Sequence, residues 1–131
     1  MIPYYLAILW NPGLPLASQI LKDIPEIIDT REVNISKEHL KGAMDFIYKL
    51  DKKCNLPHVV LPKKIARLKE YGEKCLFVRF KAKNGWNNKP EVIKIRIRRK
   101  YRKHIKKYLR GMMIHITDRK IEAEKIWMKY I

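Results

Sequence analysis

Residues 76–98 read LFVRFKAKNGWNNKPEVIKIRIR, and the fold turns on how this stretch is divided. Leu76, Val78, Phe80 and Ala82 alternate with Arg79, Lys81 and Lys83, while Ile93, Ile95 and Ile97 alternate with Lys94, Arg96 and Arg98. A period of two is the mark of strands with one apolar face and one polar face. Between the two runs, Asn84-Gly85-Trp86-Asn87-Asn88-Lys89-Pro90 has the chemistry of a chain reversal. The reading is an antiparallel hairpin that buries its apolar face and turns six basic side chains to the other. A helix through Ile93, Ile97, Tyr101, Ile105 and Tyr108 is the competitor, but it leaves Ile95 facing solvent. Strand to Arg98 is preferred, followed by a helix whose inner stripe is Tyr101, Ile105, Tyr108, Leu109 and Met112 and which ends at Gly111.

Working outward, Tyr4 to Trp10 is an apolar run bounded by Pro3 and Asn11-Pro12-Gly13, as expected of a strand buried on both faces. Leu16 to Leu21 reads as a short helix. Ile24 to Ile35 reads as a strand that Pro25 confines to an edge. Ser36 caps a helix with Leu40, Ala43, Met44, Ile47 and Leu50 inward, and Pro62 opens another that ends at Gly72. Met112 to Thr117 reads as the last strand, with Ile114 and Ile116 on one face and His115 exposed. Asp118 then caps a terminal helix carrying Ala123, Ile126, Trp127 and Tyr130. With the Ile24 to Ile35 strand as an N-terminal edge addition and the last helix as a C-terminal one, the remainder is βαββαβ, a ferredoxin-like α+β arrangement around the basic hairpin.

At 131 residues the chain has the length of one domain, and with 47% hydrophobic residues it is not a disordered basic tail. Its net charge of +17 is unevenly placed. Residues 1–60 hold seven basic and seven acidic side chains, so residues 61–131 carry the whole excess. From Lys94 to Arg110 there are ten basic residues in seventeen positions and no acid. Such density repels itself until an anion neutralises it.

DNA or RNA is therefore the expected partner, contacted through phosphates without chemistry. The expected contacts are Arg79, Lys81, Lys83, Lys94, Arg96 and Arg98 on the hairpin, with Trp86 at its tip to stack on a base or cover the core. The following helix adds Arg99, Lys100, Arg102, Lys103, Lys106, Lys107 and Arg110. An RNA-binding ribosomal or ribonucleoprotein component fits the same features. The neutral half is read as scaffold, or as a surface for a protein partner or self-association.

Phe77-Val78-Arg79-Phe80 matches only the end of an RNA-recognition motif. Lys74 and Cys75 stand where its glycine and first aromatic belong, so that motif is excluded. The other functional class is a metal-dependent nuclease or other phosphoryl-transfer enzyme, using His115 and Asp118, or Asp29 and Glu32 as ligands. No GxxxxGK loop, paired-carboxylate spacing or Cys/His cluster supports it, so no cofactor or metal is expected. Cys54 and Cys75 form no disulfide framework, and the uncharged start to Lys22 lacks a basic leader and is broken by Pro12, Gly13 and Pro15. An intracellular protein that does not span a membrane is expected.

Overall fold

The computed structural model describes residues 3–50, 60–81, 85, 88–105 and 113–131. Strand β1 (Tyr5–Leu9) is followed by a 3-10 turn over residues 11–16 and helix α1 (Ala17–Leu21). Strand β2 (Ile27–Asn34) leads to helices α2 (Lys37–Leu50) and α3 (Val60–Lys69). Strand β3 (Lys74–Phe80), helix α4 (Pro90–Tyr101), strand β4 (Ile114–Ile116) and helix α5 (Lys120–Tyr130) complete the order. The protein is α+β, with a four-stranded sheet in the order β2-β3-β1-β4 and every neighbouring pair antiparallel.

The apolar run of β1 sits at the centre of the sheet, and Leu6, Ala7, Ile8 and Leu9 are all fully buried. The β1–β3 register places Tyr5, Ala7 and Leu9 on one face with Phe80, Val78 and Leu76, and Leu6 and Ile8 on the other with Arg79 and Phe77. Phe77 then meets Tyr130 of α5 with ring centroids 6.2 Å apart, and Tyr130 meets Phe46 of α2 at the same distance. Both faces of β3 are thus covered, although its sequence alternation had suggested one solvated face.

The second arm of the expected hairpin is not a strand. Residues 90–101 are helical, because Ile93, Ile97 and Tyr101 recur every four residues and all three are buried. Pro90 stands in the first turn with Glu91, and Arg98, Arg99 and Lys100 stand in the last, so the termini suit the helix dipole. Ile95 is left 46% exposed, the consequence that had counted against this alternative. Sheet pairing explains the outcome. β3 already bonds β1 along one edge and β2 along the other, so no edge of β3 remains for residues 91–98.

Several smaller expectations are corrected with it. The strand after residue 24 lies at a sheet edge as expected, but it is one of the four sheet strands, with a bulge between Ile27 and Asp29. The helix expected over Arg99 to Arg110 stops at Tyr101, and Arg102–His104 form a 3-10 turn that leaves Ile105 extended. Residues 106–112, with the end expected at Gly111, lie outside the described residues. Arg119, not Asp118, occupies the N-cap of α5.

The helical assignment has a direct check. Ile97→Ala should destabilise the protein by about 2–5 kcal/mol, the usual loss for emptying a buried aliphatic site. Ile95→Ala should change stability by no more than about 0.5 kcal/mol. Urea unfolding reads both, and equal losses at the two positions would restore the strand.

Candidate nucleic-acid interface

A helix turns about 100° per residue. In α4 this aims Ile93, Ile97 and Tyr101 inward and Ile95 and Arg99 outward, with Lys94 and Arg98 on one flank and Arg96 and Lys100 on the other. Arg96, Arg99, Arg102 and Lys103 are exposed. Among the described residues Arg96, Arg99 and Lys103 carry no salt bridge. They form the basic surface of the helix.

The remaining predicted contacts are engaged elsewhere. Arg79 donates from Nε to Asp29 Oδ1 at 2.7 Å and from Nη2 to Asp29 Oδ2, with its guanidinium 4.1 Å from the Trp127 ring centroid and 5.0 Å from that of Tyr4. It joins β2, β3 and α5 and is not a free phosphate contact. Arg98 turns inward to donate from Nη2 to the Ile114 carbonyl at 2.8 Å, and its buried Nε makes no hydrogen bond among the described residues. Burial lowers the Arg98 pKa below the usual arginine range. Lys100 bonds Asp23 at 2.9 Å. Lys81 is exposed, its backbone N–H donating to Glu26 O, and Lys94 is half-buried. Lys83, Trp86, Lys106, Lys107 and Arg110 lie outside the described residues.

Asp23, in the turn after α1, receives hydrogen bonds from both the Tyr101 hydroxyl and Lys100, tying the end of α4 to the first third of the chain. Burial opposes its charge, but these bonds outweigh burial and hold its carboxyl below the ordinary range. The Arg79 bonds do the same for Asp29 against a smaller effect of burial. Neither contact was legible in the sequence, since 77 and 50 residues separate the partners.

The residues considered for catalysis are rearranged too. His115 was expected at the surface but is 1% exposed, with its ring centroid 4.8 Å from that of Tyr48. Thr117 Oγ1 accepts the Leu6 N–H at 3.1 Å and its own N–H donates to Leu6 O, which extends the β1–β4 pairing. Asp29 serves Arg79, and Glu32 pairs with Lys74 at 3.4 Å, so they do not share a ligand set. Among the described residues no three His, Cys, Asp or Glu side chains converge on a metal position. Cys75 is buried and its thiol is pushed up to about 12. No described helix is long and apolar enough to cross a membrane.

Comparison with protein-family models, curated proteins and solved structures finds no match for this chain.

Asp23 and Asp29 set a pH dependence. Each has a folded pKa below its ordinary 3.8, so its stabilising contribution is complete above that value and disappears as pH falls through the lower folded value. Asp23→Asn keeps an amide oxygen to accept from the Tyr101 hydroxyl but loses the charge that faces Lys100, so its acid unfolding should begin from a slightly less stable protein and should fall less steeply below about pH 4. An unchanged acid profile by circular dichroism would remove Asp23 as the anchor of α4.

Proposed function

We propose that this domain binds nucleic acid through phosphate contacts on the outer face of α4. The observation that carries the reading is the exposed set Arg96, Arg99 and Lys103, free of salt bridges among the described residues, within a segment of ten cations and no acid. Phosphates relieve that repulsion and release counterions, which favours binding regardless of base sequence. Arg102 and Lys103 extend the surface by one turn, whereas Arg79 and Arg98 contribute by holding the scaffold. A ferredoxin-like arrangement is part of the proposal: β1 and β2 run parallel with β3 between them, β3 and β4 run parallel with β1 between them, and α2 and α3 stand as an insertion between β2 and β3.

Salt titration tests it. Affinity for mixed-sequence DNA or RNA should fall steeply with salt, and Arg96→Gln with Arg99→Gln should lower the slope of log K against log salt by about 2 for duplex DNA. Unchanged affinity and slope would refute the interface. Tighter binding to structured RNA than to DNA would favour the ribonucleoprotein form of the reading.

A second reading, a phosphoryl-transfer enzyme, rests on the end of β4. There Arg98, half-buried and without a carboxylate partner among the described residues, holds the carbonyl of the residue that precedes the buried His115 in the strand. Labelled nucleic acid incubated with Mg²⁺ or Mn²⁺ should stay intact if the binding reading holds. Cleavage that is lost in a folded His115→Ala variant would establish the enzyme instead.

A further inference from the structure

A cleft of about 750 Å³ opens between α2, the chain just before it and the last turn of α5, within the size range of small-ligand sites. Its wall is aromatic: Phe46 and Tyr130 stand edge to face, and the Lys129 ammonium lies 4.7 Å from the Phe46 centroid. Lys49, one turn beyond Phe46, also lines the cleft, so two cations flank the aromatic wall. Of the lining carboxylates, Asp45 is paired with Lys41 at 3.5 Å. Glu38 lies eleven residues before Lys49, about 16 Å away along the helix axis.

Gly42 gives the second, independent observation. Glycine is the poorest helix former after proline, and Gly42 sits well inside the fourteen-residue α2. Its φ is not positive, and a Cβ built there meets nothing within 4 Å. Neither backbone conformation nor packing within the chain calls for glycine. What its missing side chain does is leave open space along the exposed α2 side of the cleft, beside Ala43.

We propose that the cleft binds a small organic anion with a flat apolar body. The flat body lies over Gly42 and Ala43 against Phe46 and Tyr130, and the anionic group meets Lys49 and Lys129. The inference is independent of nucleic-acid binding and uses none of its residues.

Naphthoate and its neutral counterpart naphthylmethanol are suitable probes, titrated into the full chain by calorimetry with folding followed by circular dichroism. Naphthoate should bind saturably at one site. Gly42→Leu, which fills open space and favours the helix, should weaken binding at least about tenfold without lowering the melting temperature. Lys49→Gln with Lys129→Gln should weaken naphthoate about tenfold and leave naphthylmethanol unchanged. Equal naphthoate affinity in the wild-type and Gly42→Leu proteins would overturn the proposal, as would non-saturating binding. Should Gly42→Leu fail to fold, the double lysine variant decides alone, and unchanged naphthoate affinity there overturns the site. A Phe- and Glu-containing peptide that displaces naphthoate at a tenfold lower concentration would assign the cleft to a protein partner and overturn the small-ligand proposal.

Discussion

β3 has two edges, and both are taken. Its pairing with β1 is continuous from Tyr5↔Phe80 to Leu9↔Leu76, and its pairing with β2 runs to Asn34↔Lys74. Each strand can form only two ladders, so this double pairing excludes the chain that follows from joining β3. Residues 90–101 must satisfy their backbone groups internally, and a helix does so while still burying Ile93, Ile97 and Tyr101. The direction in which the cations point follows from that constraint.

The arginines divide according to what surrounds them. Arg79 sits over the Trp127 ring and is bidentate to Asp29, a use of the guanidinium that a lysine would not reproduce. Arg98 spends part of its hydrogen-bonding capacity on the carbonyl of Ile114, at the open edge of the three-residue β4. An edge strand with a bare carbonyl invites pairing by another chain, and the half-buried Arg98 blocks it at Ile114. Arg96 and Arg99 face water on the same helix that supplies Arg98. These four arginines, three of them within the four residues 96–99, therefore have two kinds of role, structural and exposed.

The charge asymmetry between the two halves also takes on a spatial meaning. The neutral half supplies Asp23 and Asp29, whose carboxylates hold Lys100 and Arg79. It is not merely scaffold, because it removes some cations from the surface and leaves others available. The α2–α5 cleft lies mostly in this neutral half and mixes aromatic wall with cationic rim, a composition unlike that of α4's outer face.

The sequence by itself determined the charge excess, the buried central strand Tyr5–Leu9, the edge position of β2 and the amphipathic helices α2 and α5. Each of these is a local pattern whose burial is read from neighbours within a few residues. It also contained the four-residue recurrence Ile93, Ile97, Tyr101, but the same segment satisfied a period of two equally well. Only the tertiary structure could choose, because the choice depended on whether β3 had an unoccupied edge, and the partners on its two edges, Thr30 and Ala7 opposite Val78, lie 48 and 71 residues away along the chain. The same distance hid the burial of His115 against Tyr48, the Asp29–Arg79–Trp127 stack and the Asp23 anchor. Which face of a segment meets solvent is a property of what packs against it, and that partner is set by chain topology, not by local periodicity.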